Sequence, residues 1–150
     1  MPPLALHHEG EFIPEIGNIE VDTILRIHGY KKPSEVRVAI REIAKKMIAL
    51  SIPLFEPIVY YRQFRIQTLD GSRLELDGGG ISLHNPEFSN ALSTCAEVMV
   101  FLLTLGDKPD TMSTTLQQGD HLLEALFLES ASWLAIEHAT RSFVMALRRR

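Results

Sequence analysis

The sequence predicts an α+β domain, in which a mixed or mostly antiparallel sheet packs against a long C-terminal helix and an amphipathic N-terminal helix. Three observations indicate this class. Apolar residues recur at helical spacing in the first third of the chain, residues alternate with a period of two in the middle, and the last segment is apolar over a broad helical surface. We expect residues 1–150 to form a single module.

Two helices are predicted in the first half. Asp22 is placed to cap a short helix that ends at Gly29, and Ser34 stands before a longer helix that ends before Pro53. The apolar residues of the longer helix recur in steps of four and three, which places them on one face: Val36, Ile40, Ile43, Met47 and Leu50. Because the opposite face is charged, we expect a surface helix.

A β-hairpin is predicted in the middle of the chain. Aromatic and β-branched residues alternate from Ile58 to Leu69, Asp70-Gly71 is a turn signal, and residues 73–76 alternate again. The glycine run 78–80 then ends the strand pairing and predicts a loop that requires positive φ. A phosphate-binding loop is disfavoured, because no long helix begins directly after the glycines. Val98 to Leu105 is a continuous apolar run, which predicts a central strand covered on both faces.

The last and longest helix is predicted to begin at Asp120 as its capping residue. One of its faces carries a stripe of Leu122, Leu126, Trp133, Ile136, Thr140 and Val144, and further apolar residues widen it: Leu123, Phe127, Ala131 and Leu134. So broad an apolar surface predicts a helix packed across a sheet, with Trp133 buried. A shorter helix is predicted after Pro109, in the polar segment between the strand and this helix.

Composition and charge narrow the possible partners. Of the 150 residues, 45% are hydrophobic and 23% charged, and the net charge is −4, which argues against nucleic acid as the main partner. No apolar run approaches the ~20 residues of a membrane-spanning helix, and the N-terminus lacks the basic start and apolar stretch of a signal peptide. We therefore expect a cytoplasmic protein with no membrane partner.

The candidate metal ligands do not form a site in the sequence. His7, His8, His28, His84, His121 and His138 have no spacing that places several on one face, so scattered solvated or hydrogen-bonded histidines are favoured over a metal site. Cys95 is the only cysteine, and with no basic neighbour in sequence to lower its pKa it is expected to be a small core or near-core residue.

Glu129 lies on the apolar stripe of the last helix, beside Leu126 and Trp133. A carboxylate inside an apolar stripe must be paired, hydrogen-bonded or raised in pKa. We expect it to bond a backbone group or an arginine such as Arg62 or Arg65; the alternative is a polar contact to a bound ligand.

Two segments of the second half carry a resemblance to a known family. Residues 96–106 end in Thr-Leu-Gly after an apolar run, and residues 119–126 read Gly-Asp-His-Leu-Leu-Glu-Ala-Leu. A buried strand that stops at Thr-Leu-Gly, followed by a helix that opens Gly-Asp-x-Leu-x-Glu-Ala-Leu, resembles the activation domain of cobalamin-dependent methionine synthase and the small free-standing proteins related to it. The segment 24–30, the helix after Ser34, the Tyr-Arg-x-Phe strand at 61–64 and the glycine run follow in the family's order, so the resemblance covers most of the chain.

The resemblance implies S-adenosylmethionine and a cobalamin carried by a partner as cofactors. Glu137 matches the position at which the family's long helix carries a glutamate that helps to hold S-adenosylmethionine; a solvated helix glutamate is the competing interpretation. The family's cofactor motif, an arginine, three residues and then Gly-Tyr-Pro, lies beyond the long helix, and these 150 residues do not contain it. The resemblance thus leaves two alternatives, a form truncated at the C-terminus or a natural short relative that lost the methyl-donor site. In both cases we expect cofactor binding to be impaired or absent in this chain.

Two functions follow as hypotheses. The first is an activation-domain-like protein linked to corrinoid reactivation or methionine metabolism, with a corrinoid protein or a methionine synthase-like protein as its partner. The alternative is a non-catalytic interaction module that docks a corrinoid protein or forms a homodimer through open apolar surface. Whether the chain is an enzyme is left open by the sequence.

Overall fold

The structure is a computed structural model that describes residues 8–78 and 80–149, and it has the predicted α+β fold. The strands are β1 (Glu9–Phe12), β2 (Ile58–Asp70), β3 (Arg73–Leu76), β4 (Ile81–His84) and β5 (Glu97–Thr104). The helices are α1 (Val21–Ile27), α2 (Val38–Ser51), α3 (Phe88–Leu92), α4 (Lys108–Gln118) and α5 (Leu122–Arg148). Short 3₁₀ turns at Pro33–Glu35 and Ile52–Leu54 flank α2.

The five strands form an antiparallel sheet in which β1, β2, β3 and β4 follow in that order and β5 pairs with β2. The predicted hairpin is confirmed: Asp70 pairs with Arg73 across a two-residue turn, and Gly71 takes the φ of +57° that this turn requires. β3 continues into an antiparallel pairing with β4, in which Leu76 faces Ile81. Gly78 and Gly80 both have positive φ, as the predicted loop requires, while Gly79 lies outside the described residues.

Contacts within the chain divide it into two compact units. Residues 8–11 and 60–102 form the first, whose small core joins Phe64, Leu74 and Leu76. Residues 12–59 and 103–149 form the second, in which α5 packs mainly against α2 and α4 and to a lesser extent against α1. Its core is larger: Ile19, Ile24, Leu25, Ala44, Met47, Ile48, Leu105, Phe127, Leu128, Ala131, Leu134 and Ala135.

The expectation that the apolar run before Gly106 is a central strand covered on both faces is wrong, although a strand forms there. None of its residues from Glu97 to Thr104 is buried, and the side chain of Leu102 is 65% exposed. Among the described residues β2 is the strand with which β5 pairs, so this run lies at the margin of the sheet. A continuous apolar run indicates a strand but does not distinguish a strand with two neighbours from a strand with one.

The predicted buried stripe of α5 is also wrong. Leu122, Leu126, Trp133 and Ile136 are exposed, and Trp133 retains 53% of its accessible surface. The buried face of α5 instead carries residues that were expected only to widen the stripe, such as Phe127 and Ala131, which are both 0% exposed. Three further alanines lie on this buried face: Ala125, Ala135 and Ala139. Small residues on this side let α2 and α4 approach α5 closely.

Several smaller expectations are corrected as well. Asp22 lies in the first turn of α1, where its carboxylate accepts a hydrogen bond from Arg41 at 2.9 Å, and the N-cap position is Glu20. Ser34 belongs to a 3₁₀ turn, so α2 begins later, at Val38. Cys95 is exposed rather than near the core, because it lies in the turn between α3 and β5. Within the described residues no helix is long and apolar enough to cross a membrane.

Candidate functional site between α4 and α5

The candidate site lies in the second unit, on the helical hairpin formed by α4 and α5. A turn that depends on glycine leads into this hairpin. The Gly106 N–H donates to the Thr104 hydroxyl at 3.0 Å, and Gly106 has a φ of +83° that an L side chain rarely adopts. A Cβ at this position would also stand 3.3 Å from the Glu56 side chain. The backbone therefore favours glycine at position 106, and the Thr104 hydroxyl holds the turn at the point where the chain passes from β5 toward α4.

The chain reverses between the two helices through a complete Schellman motif. The His121 N–H donates to the Leu116 carbonyl at 2.9 Å, and the Asp120 N–H donates to the Gln117 carbonyl at 3.3 Å. Asp120 takes the left-handed conformation that this motif needs, with a φ of +59°. The prediction that Asp120 caps α5 is therefore wrong, because this residue terminates α4 and the N-cap position of α5 is His121.

Glu129 is held by α4. Its Oε1 accepts a hydrogen bond from the Ser113 hydroxyl at 2.9 Å and another from the Gln117 side-chain amide at 3.0 Å. The same amide donates to the Ser113 hydroxyl oxygen at 3.1 Å, which closes a three-residue network between the helices. The expected arginine partners pair elsewhere, Arg62 with Glu9 and Arg65 with Glu97. The partners of Glu129 are thus side chains of the neighbouring helix.

A cavity of about 400 Å³ opens beside this network. α5 contributes Leu128, Glu129, Ser132, Trp133 and Ile136 to its lining, and α4 contributes Pro109, Asp110, Ser113 and Thr114. The residues from each helix recur in steps of three and four, so one face of each helix lines the cavity. Its volume falls within the range of small-molecule sites in proteins.

Glu137, the other predicted cofactor residue, does not join this site. It is exposed on α5, and Glu129 lies in the cavity lining while Glu137 does not. The structure therefore does not bring the two glutamates into one pocket. Ser113, Gln117 and Asp110 were not singled out from the sequence. Their i,i+3, i,i+4 and i,i+7 spacing on a helix adjoining α5 is the signal that points to a shared face.

A lysine at the start of α4 is held outside the cavity lining. The Lys108 ammonium pairs with the Glu56 carboxylate, and this hydrogen bond and the negative charge of Glu56 raise the pKa of Lys108. About half of each side chain is exposed to solvent, so the pair has little effect on stability. The ion pair matters for the site because Lys108, the cation nearest in sequence to Asp110, is already paired with the Glu56 carboxylate.

The histidines of the described residues are dispersed through the fold. His28 shares a hydrogen bond of 2.7 Å with Ser130 and packs edge-on against Phe127, while His138 lies 3.2 Å from the Gly17 carbonyl. His84 lies on β4 beside Ser72, and His7 is outside the described residues. Within the described range, no group of three or more His, Cys, Asp or Glu residues is placed to hold a metal ion.

Comparison with known proteins identifies no family or function for the chain. No protein-family model matches the chain, and a search of curated proteins finds no match to it.

Proposed function

We propose that this chain is a cytoplasmic activation-domain-like protein linked to corrinoid reactivation or methionine metabolism, with S-adenosylmethionine binding impaired or absent. The proposal rests on the resemblance of the strand that ends in Thr-Leu-Gly and the helix that follows Gly-Asp. The observation that supports it most directly is that the first segment contains β5 and the second leads into α5, with Gly106 and Asp120 in the left-handed backbone conformations that their turns need. The exposure of β5 does not match the buried strand of the resemblance.

The cofactor part of the proposal concerns the 150 residues present. S-adenosylmethionine is held in the family largely by residues of the arginine and Gly-Tyr-Pro motif, which these residues do not contain. Glu137 alone supplies at most one charge-assisted hydrogen bond, worth roughly 1.5–3 kcal/mol. Millimolar affinity already requires about 4 kcal/mol at the standard state. We expect the chain to bind S-adenosylmethionine more weakly than about 1 mM.

Calorimetric titration with S-adenosylmethionine tests this part. The expected result is no saturable heat at accessible concentrations. Micromolar binding that disappears in Glu137→Gln and persists in Glu87→Gln, which removes an exposed carboxylate at the N-cap of α3, would contradict it and restore a working cofactor site.

A second candidate function, a non-catalytic docking module, is favoured by the exposed stripe of α5. Leu122, Leu126, Trp133 and Ile136 lie on one face of the helix and are all exposed. Contiguous exposed apolar surface in a soluble protein commonly marks an interaction site. A corrinoid protein or a second copy of the chain are the two partners to be distinguished.

Sedimentation velocity separates these two partners. If a second copy covers the stripe, the isolated chain sediments as a dimer and Leu126→Glu converts it to a monomer. If a corrinoid protein covers it, the isolated chain is a monomer and the same substitution leaves its sedimentation unchanged.

A further inference from the structure

We propose that the cavity between α4 and α5 binds a small organic cation, with a primary ammonium group on an apolar body. This inference goes beyond the proposed corrinoid function and does not depend on it, because it rests on the charge, hydrogen-bonding capacity and aromatic surface of the cavity.

The ionisable groups of the cavity lining carry one sign of charge. Asp110 and Glu129 are its two titratable residues, and both are acidic. Glu129 uses Oε1 to accept the bonds from α4, and among the described residues no hydrogen bond or ion pair reaches its Oε2 or the Asp110 carboxylate. The nearest cation in sequence, Lys108, is paired with Glu56. A concave site lined by carboxylates concentrates cations from solution.

Each hydroxyl group of the cavity lining already donates a hydrogen bond within the protein. Ser113 donates to Glu129, Thr114 donates to the Asp110 carbonyl at 3.0 Å, and Ser132 donates to the Leu128 carbonyl at 2.9 Å. Each hydroxyl has one proton to give, so toward the cavity these groups offer oxygen lone pairs only. With the two carboxylates, the polar oxygens of the lining are all acceptors. A primary ammonium has three donors and no acceptor, which is the complementary set.

The apolar part of the lining indicates what kind of group the ammonium of the ligand should be attached to. Trp133 is half exposed and stands one helical turn from Glu129, so the indole and the carboxylate border the same space. Ile136, Leu128 and Pro109 extend the apolar surface around it. An indole attracts a cation through its ring face and packs against apolar groups. A ligand with an ammonium on an aromatic or branched apolar body would place the charge at the carboxylates and the apolar body against the indole and its apolar neighbours.

The fluorescence of Trp133 reports on this site without a label, because it is the only tryptophan of the chain. The probe is 2-phenylethylammonium, with uncharged 2-phenylethanol and anionic 3-phenylpropionate as matched compounds of similar shape. We expect saturable quenching by the ammonium at least tenfold tighter than by the alcohol, none by the carboxylate, and an affinity that falls as salt is added. Equal binding of ammonium and alcohol, or preference for the carboxylate, would overturn the proposal.

Two substitutions test the assigned groups. Glu129→Gln keeps an oxygen that can accept from Ser113 but removes the charge, and Asp110→Asn removes the second charge without touching the network. Each should weaken ammonium binding at least tenfold in a protein with an unchanged circular dichroism spectrum. Glu137→Gln is the control, since it removes an equal charge from the same helix outside the lining, and it should leave binding unchanged. Equal effects of all three variants, or no effect of Asp110→Asn, would refute a site in this cavity.

Discussion

Ser113 on α4 donates a hydrogen bond of 2.9 Å to Glu129 on α5, 16 residues further along the chain. This contact explains how a carboxylate is accommodated between exposed apolar residues of the long helix. Gln117 donates to the same oxygen, so the carboxylate receives two donors from one face of α4. Both of these donors reach Oε1, so α4 stabilises the charge through one oxygen of the carboxylate.

Removing the Ser113 hydroxyl should destabilise the fold by about 1–2 kcal/mol, because a hydrogen bond to a charged group contributes more than an ordinary one. The Ser113 side chain is buried, so water does not simply replace it. The measurement is the free energy of unfolding of Ser113→Ala by urea titration. Thr115→Ala is the control: its hydroxyl bonds only within α4, and this exposed change should lie within about 0.5 kcal/mol of the parent. Equal losses in the two variants would show that the contact with Glu129 contributes nothing.

Trp133→Ala should cost less than about 1 kcal/mol, since the side chain is half exposed, whereas Phe127→Ala should cost about 3–5 kcal/mol. The two aromatic residues lie about 120° apart around α5, at ~100° per residue, so the pair tests which side of the helix is buried. Thermal unfolding followed by circular dichroism ranks the two variants against the parent. A larger loss for Trp133→Ala than for Phe127→Ala would mean that α5 is rotated about its axis relative to the orientation described.

Asp120→Ala should destabilise the protein by about 1 kcal/mol, because alanine lacks the local hydrogen bonding that lets aspartate occupy the left-handed conformation. Asp120→Gly removes the same carboxylate but adopts this conformation freely, so it should be neutral or stabilising. Urea unfolding of both variants gives the comparison. If glycine is as destabilising as alanine, the carboxylate itself and not the backbone conformation is what matters at this turn.

The elements with a clear period were predictable from the sequence. The alternation in β2, the Asp70-Gly71 turn and the apolar run of β5 each gave the correct secondary structure. Which face an element buries was less predictable. α5 is apolar on both sides, and large residues such as Trp133 suggested the wrong one, whereas the contact side is made partly of alanines such as Ala131. Periodicity identifies the helix, but the packing partner decides its orientation.

The candidate site was predictable only in part. Glu129 was singled out because a carboxylate in an apolar stripe needs a partner, and the structure supplies that partner from Ser113 and Gln117. The partners could not be named from the sequence, since they depend on the antiparallel packing of α4 on α5. That packing is set by the left-handed Asp120, a conformation that a non-glycine residue rarely adopts and that the sequence alone did not reveal.

The most direct test of the account is binding to a methionine synthase fragment that carries cob(II)alamin and lacks its own activation domain. Calorimetry should give saturable micromolar binding of the chain to the cobalamin-loaded fragment. Leu126→Glu, on the exposed stripe of α5, should bind at least tenfold more weakly. The control Lys46→Glu, on the exposed side of α2, should bind with unchanged affinity. No binding to the loaded fragment, or equal binding by the parent and Leu126→Glu, would contradict the proposal that this chain docks a corrinoid protein through α5.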